Sequence, residues 1–365
     1  EQRNGRVEGV RIRNAISGRE ETILCEMIIN AAGSWVGHVA AFAGIPIHVT
    51  PDRGTLVAFN HRFADRVINR LRPPGNGDIF VPHGSVTILG TTSLPASRPD
   101  DFDPSTAEVR ELLNIGKELF EELPHFRILR AYTGTRPLYS ADPTATGRAA
   151  SRNFVILDHS REGLAGFVSI VGGKLTTYRL MAEKLTDLVC EKLSVETACR
   201  TAEEPIIEDP APELLNKAKQ FFPAFGVDLA ASRLGPRFGE TVDHLQHNPA
   251  KKQLVCECEL VTLAEVETVA ADPAIFTMSD IRRRTRMGMG TCQGSYCGLR
   301  AVGMMVDNDL TQGMETVDLL REFLEGRWNG IRPILWGQQM REAELTRGIY
   351  GAALNIDGVG PDERE

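Results

Sequence analysis

The chain has 365 residues, 42% of them hydrophobic and 25% charged, and Lys+Arg 41 against Asp+Glu 49 gives a formal net charge of −8. This composition suits a folded protein with more than one core, and it excludes collagen-like and disordered classes. The acidic balance argues against a broad nucleic-acid surface, which needs surplus Lys and Arg to neutralise phosphates, and apolar runs such as 28–33 are far shorter than the roughly 20 residues that span a bilayer.

Residues 7–30 alternate like two strands around the turn Asn14 to Gly18, and the second ends in the apolar run Met27-Ile28-Ile29. Asn30-Ala31-Ala32-Gly33-Ser34-Trp35 follows, then a helical stretch from Val36 to Ala43 that stops at Gly44. Short β-rich runs recur from Ile47 to Thr92, separated by Pro, Gly and Asn, the signature of an antiparallel sheet. Asp103-Pro104-Ser105 caps a helix predicted to reach about Glu122, with Val109, Leu112, Leu113, Leu119 and Phe120 near helical spacing. Strands follow at 128–133, 154–158 and 167–171; the last breaks at Gly172-Gly173 and leads into a helix through Leu193. The Pro- and Glu-containing stretch 201–212 reads as a linker, and beyond it the pattern is helical to Leu354. The chain starts at Glu1 on a turn-and-strand pattern typical of the middle of a sheet, so a fragment of a longer protein is expected.

Seven cysteines are unevenly placed. Cys25, Cys190 and Cys199 are scattered and read as small buried hydrophobes, whereas Cys256, Cys258, Cys292 and Cys297 share one segment. An odd, clustered set is unlike a disulfide scaffold and reads as a reduced ligand group. The single-residue gap of Cys256-x-Cys258 is tight for a zinc knuckle. Unequal spacings suit an iron-sulfur cluster better, because the thiolates can ligate two different irons. Gly288, Gly290, Gly294 and Gly298 let backbone approach the sulfurs, and the run Arg282-Arg283-Arg284-Thr285-Arg286 offers cations or a partner-docking patch. The Cys and Gly pattern resembles the small helical [2Fe-2S] module of bacterioferritin-associated ferredoxin, which implies ligation by Cys256, Cys258, Cys292 and Cys297.

Two strand-to-helix junctions read as cofactor pieces. At the first, Ile28-Ile29-Asn30 turns on Ala31, Ala32 and Gly33 towards Trp35, and small residues there leave room for a nucleotide at the carboxyl end of a strand. At the second, Gly172, Gly173, Lys174, Leu175 and Thr176 open a helix, where glycine backbone and a positive helix end favour an anion. No G-x-G-x-x-G fingerprint occurs in these residues, so an FAD site would draw its pyrophosphate cradle from an upstream part.

These segments, together with Gly90-Thr91-Thr92-Ser93, Thr133-Gly134-Thr135-Arg136-Pro137-Leu138, the motif from Arg282 to Cys297 and the tail from Arg327 to Gly337, resemble the catalytic A subunits of anaerobic glycerol-3-phosphate dehydrogenase. The resemblance covers essentially the whole chain. It implies an α/β FAD-dependent oxidoreductase fold, truncated in its FAD/NAD(P)-binding part, with an antiparallel substrate-domain sheet and a small helical [2Fe-2S] domain. The expected organisation is residues 1–44 and 151–193 in the FAD-binding domain, 45–150 in the substrate domain, 194–250 as linker and helices, 251–305 as the [2Fe-2S] domain and 306–365 as a helical tail.

The implied activity is oxidation of sn-glycerol 3-phosphate to dihydroxyacetone phosphate with FAD, electrons leaving through the cluster and partner subunits to quinone. Such a protein would be cytoplasmic, held peripherally at the inner face of the cell membrane through its partners, with no nucleic acid involved. Guanidinium groups suit the substrate phosphate, so Arg136, Arg152, Lys174 and, more weakly, Arg53 are the expected phosphate cations. The related aerobic enzymes carry a histidine after their equivalent of Gly54-Thr55, whereas Leu56 stands here, and the catalytic base stays unassigned between His61, His83 and others. Two rival readings are an FAD-dependent amine or amino-acid oxidase with a fused iron-sulfur module, and a non-enzymatic iron-sulfur electron carrier.

Overall fold

The computed structural model describes residues 1–15, 17–73, 75–139, 153–311 and 315–354. In chain order, the short pair β1 (Gln2–Arg3) and β2 (Arg6–Val7) precedes the hairpin β3 (Gly9–Arg13) and β4 (Glu20–Leu24), then β5 (Ile28–Asn30) and α1 (Val36–Ala41). Strands β6 (Thr50–Phe59), β7 (Ile68–Asn69), β8 (Ile79–His83), β9 (Val86–Gly90) and β10 (Leu94–Pro95) lead to α2 (Thr106–Gly116) and β11 (Ile128–Leu138). After β12 (Phe154–Asp158) and β13 (Phe167–Gly172) come α3 (Tyr178–Leu193), α4 (Pro212–Ala218), α5 (Ala224–Leu234) and α6 (Phe238–His247). The pair β14 (Leu254–Cys256) and β15 (Val261–Thr262) is followed by α7 (Leu263–Ala270), α8 (Met278–Thr285), α9 (Cys297–Asp307), α10 (Thr316–Ile331) and α11 (Gly337–Leu354). No helix among the described residues is long and apolar enough to cross a membrane.

The chain divides into two compact units. The first comprises Glu1–Gly54, Thr92–Phe102 and Thr133–Pro205; the second comprises Thr55–Thr91, Asp103–Tyr132 and Ile206–Glu365. In the first, β13 lies between β12, antiparallel, and β5, parallel. Phe167, Val168, Ile170 and Val171 are all buried on either side of Ser169 because both faces of β13 are covered. Phe167 packs with Val7, Ala40, Ile45 and Leu164 on one face, and Val168 and Ile170 pack with Leu185 of α3 on the other.

The second unit holds the antiparallel pairs β6/β9, β8/β9 and β7/β8, as the alternation from Ile47 to Thr92 predicts. Val57, Phe59, Phe80 and Leu89 from these strands pack on Val109 and Leu112 of α2. That helix starts on a capping box, Ser105 Oγ accepting from the Glu108 amide while Glu108 accepts from the Ser105 amide. It ends at Gly116, not near Glu122 as the spacing predicts. The physical reason is close packing: a Cβ on Gly116 would stand 2.6 Å from Leu123 and 2.8 Å from Leu89. The chain folds back there, with Leu119 and Phe120 amides both donating to the Gly116 carbonyl. A larger core joins α4 to α10, from Ala218 and Phe222 through Val266, Met278 and Ile281 to Leu319 and Phe323.

Candidate functional site

In the first unit, β5 and β13 run parallel with Ser169 opposite Asn30, so the junctions after both strands leave the same edge of the sheet. The edge is tied internally: Asn30 Nδ2 donates to the Val36 carbonyl at 2.9 Å and to Ser169 Oγ at 3.2 Å, and His159 Nε2 meets the same Ser169 Oγ at 2.9 Å. Gly172 and Gly173 take φ of +81° and +78°, and a Cβ at either would fall within 2.5 Å of the Asn153 carbonyl or the Met181 sulfur. Only glycine serves at these positions. Ala31, Lys174, Leu175 and Thr176 are exposed around this edge, Ala32 and Gly33 half-buried, and Trp35 is exposed beside Phe102. Leu175 is 88% exposed, an apolar side chain held out to solvent. The nine expected cofactor residues lie at the carboxyl ends of two parallel strands, backed by Gly172 and Gly173 and including the exposed polar side chains of Lys174 and Thr176.

The expected phosphate cations separate. Arg136 Nη1 pairs with the buried Asp52 at 2.5 Å and its Nη2 donates to the Thr92 carbonyl at 3.2 Å. Gly54 makes this possible, since a Cβ there would collide with the Arg136 guanidinium. Ser93 Oγ donates to Asp52 at 2.8 Å, and Arg53 pairs with Asp101 at 2.9 Å. Arg53 and Arg136 are each already ion-paired and lie on opposite faces of β6, since Arg136 meets Asp52 and Gly54 while Arg53 alternates to the other side, a feature that sequence reading missed because Asp52 and Asp101 carry no motif. Lys174 stands exposed on the other loop, its amide donating to Thr177 Oγ1 at 3.1 Å. Arg152 lies outside the described residues. Among the histidines, His61 stacks on Phe126 with ring centroids 5.4 Å apart, and His83 is pushed below its ordinary pKa by burial and by Arg286.

In the second unit the four clustered cysteines come together. Cys256 ends β14, Cys258 sits in the turn to β15, Cys292 lies in the loop after α8, and Cys297 starts α9. The four thiols lie close enough to shift one another's protonation, Cys256 with Cys297, Cys258 with Cys292, and Cys292 with Cys297. These contacts, with amide donation from Gly288 and Glu259, bring Cys256 down to about 7. Cys292 is held well below the usual thiol range by Cys258 and Cys297 and by the amides of Gly294 and Tyr296, while its partners Cys258 and Cys297 are pushed up. Among the described residues, no group of three or more His, Cys, Asp or Glu is arranged around a single metal-ion position.

The loops are built around glycine. A Cβ on Gly290 would stand 2.5 Å from Cys258 Cβ, a Cβ on Gly298 would stand 2.7 Å from the Phe323 ring, and one on Gly294 would collide with that ring. Two arginines hold the Cys258 loop, one missed in the sequence and one from the expected basic run: Arg233 donates to the Glu259 and Leu260 carbonyls and pairs with buried Glu265, and Arg286 pairs with Glu259 at 2.8 Å. The expected basic patch at 282–286 is thereby reduced, because Arg286 turns inward to Glu259 and the Arg282 Nε is buried, leaving Arg283 and Arg284 exposed.

Residues 1–179 match a family model described as FAD dependent oxidoreductase. That stretch belongs to the FAD-dependent oxidoreductases. Beyond it, the chain is 42% identical over 354 residues to the A subunit of anaerobic glycerol-3-phosphate dehydrogenase from Escherichia coli K12, covering 96% of this chain and 65% of that protein. It is 38% identical over 350 residues to the A1 subunit of the same enzyme from Haloferax volcanii, covering 93% and 58%. The chain thus spans a little under two thirds of the length of these relatives. The glycerol-3-phosphate dehydrogenase of Bacillus halodurans, solved with FAD, superposes with a TM-score of 0.69 at 19% identity, covering 92% of this chain and 69% of that one. The oxidoreductase fold is common to both.

Proposed function

We propose that this chain is the substrate-oxidising subunit of a glycerol-3-phosphate dehydrogenase, working with FAD and a [2Fe-2S] cluster and passing electrons through partner subunits to quinone. The observation that carries the reading is 42% identity across 96% of the chain with a protein of that name. It is supported by a glycine-backed edge after β5 and β13 in the first unit and by four gathered thiols in the second.

FAD, when bound along Ala31, Ala32, Gly33, Trp35 and residues 172–176, supplies the acceptor for the hydride on C2 of the substrate. The chain's own side chains then have two tasks. Arg136 and Lys174, with Arg152 and Arg53, bind the phosphate, and Asp52 fixes the direction of the Arg136 guanidinium by accepting from Nη1. The oxidation also releases the C2 hydroxyl proton, and the acceptor of that proton is unassigned. The cluster, held by Cys256, Cys258, Cys292 and Cys297, supplies one-electron chemistry. Four thiols close enough to act on one another suit a cluster ligated by cysteine alone, and the amides at Cys256 and Cys292 stabilise thiolate charge. The protein would be cytoplasmic, reaching the inner membrane face through its partners.

Full-length protein should have its flavin reduced by glycerol 3-phosphate and not by glycerol or amino acids; bleaching by an amino acid would transfer the assignment to an amino-acid oxidase. Arg136→Ala should raise KM about 10- to 100-fold, the worth of a charge-assisted hydrogen bond, with FAD content unchanged. Cys292→Ser should abolish iron and acid-labile sulfide while leaving FAD bound, and zinc alone in the wild type would contradict the cluster.

A further inference from the structure

Two arginines in the second unit are buried without a carboxylate. Arg130 of β11 and Arg327 of α10 each have an Nε sealed from solvent with no hydrogen-bond partner. Burial pushes both guanidinium groups below their ordinary pKa, and each neighbourhood holds a second arginine: Arg327 acts on Arg130, and Arg127 acts on Arg327. Elsewhere in this unit buried arginines find acids, as Arg233 does with Glu265 and Arg286 with Glu259. Among the described residues neither Arg130 nor Arg327 is ion-paired, and an uncompensated buried cation is strongly unfavourable.

Arg327 is anchored on the cysteine loop by neutral hydroxyls. Its Nη2 donates to Ser295 Oγ at 3.1 Å and to Thr346 Oγ1 at 3.4 Å. Ser295 Oγ in turn donates to the Cys292 carbonyl at 2.8 Å, and the Tyr350 hydroxyl donates to the Ser295 carbonyl at 3.2 Å. A cavity of about 50 Å³, lined by Arg127, Cys292, Ser295 and Arg327, adjoins this network. The guanidinium is thus anchored on the loop between two of the gathered thiols, and the thiols of both Cys292 and Cys297 act on its charge.

We propose that Arg327 is the counter-cation of the four-thiolate centre, positioned by Ser295 and Thr346 to set the centre's reduction potential, with Arg130 adding positive charge behind it. This rests on the cluster reading above. Reduction adds a negative charge to a centre that is already anionic, so a fixed cation in a low-dielectric surround stabilises the reduced form more than the oxidised one. It raises the potential and eases electron entry.

The test is a redox titration of the anaerobically purified holoenzyme, followed by the electron paramagnetic resonance of the reduced cluster, with iron and acid-labile sulfide measured in each sample. Arg327→Gln should move the midpoint to lower potential, Arg327→Lys should hold it near the wild-type value, and Arg130→Gln should shift it downward by less. An intact cluster in Arg327→Gln with an unchanged or raised midpoint overturns the proposal. If Arg327→Gln loses the cluster, Arg130→Gln decides, since an unchanged midpoint there overturns it equally. Wild-type protein without iron and sulfide would overturn the cluster reading and this inference together, a result distinct from an intact cluster indifferent to Arg327.

Discussion

Held between Ser169 and the Phe167 ring, 5.0 Å away and tilted 27°, His159 is fully buried in the first unit. Burial pulls its pKa below the ordinary value, outweighing Glu162 and Asp158, which act in the opposite direction. A histidine whose folded pKa is depressed contributes stability that is complete above the unfolded value of about 6.5 and is lost as pH falls through the folded value. Thermal melts between pH 5 and 8 should therefore show the melting temperature falling below about pH 6.5. His159→Gln should flatten that dependence, and an unchanged slope would show that another group is responsible. At this scale the sequence singled out residues that sit in motifs, such as Gly172 and Gly173, which take left-handed backbone, and the four cysteines, which the fold gathers in one unit. It hid the partners: Asp52 under Arg136, Asp101 on Arg53, and Ser295 beneath Arg327 are joined only by tertiary proximity.

Capping carries the element scale. Thr262 accepts from the Glu265 amide at 3.3 Å while Glu265 accepts from the Thr262 amide at 2.7 Å, and both side chains are buried at the start of α7. Thr262→Ala should cost about 1 to 2 kcal/mol in denaturant unfolding, and a loss below a few tenths would mean that the Arg233–Glu265 pair alone fixes the helix start. The loop into α9 is equally constrained. Gly294 has φ of +87° and meets Phe323, so Gly294→Ala should lower iron content, and adding Phe323→Leu should restore it only in part because the backbone strain stays, as iron assays on both variants would show. Elements with local signals were legible from sequence: the hairpin across Asn14 to Gly18, the apolar strand 167–171, and the Ser105 cap. The end of α2 was not, because Gly116 stops the helix through contacts with Leu123 and Leu89 that periodicity cannot register.

For the whole molecule, the core from Ala218 to Phe323 is built entirely from one stretch of chain and includes Cys256 and Cys297. Residues 206–365 expressed alone should accordingly show helical circular dichroism and a cooperative melt, and a featureless melt would show that the strands from residues 55–132 are needed for folding. The sequence showed the order of strands, helices and cysteines along the chain and led to an expected return to the first domain at 151–193, while the contacts group as two sets interleaved at more points than that. The chain changes unit after Gly54, Thr91, Phe102, Tyr132 and Pro205. Synthesis therefore delivers the last segment of the first unit by Pro205 while segments 55–91 and 103–132 await the helices that follow. A gene shortened at that point would preserve one unit intact and leave the other as strands and a helix without their late core partners Ile334 and Trp336. Loss of the chain beyond Pro205 should thus lower the amount of soluble protein by uncovering these strands, and growth phenotypes of such deletions should be read beside the amount of soluble chain.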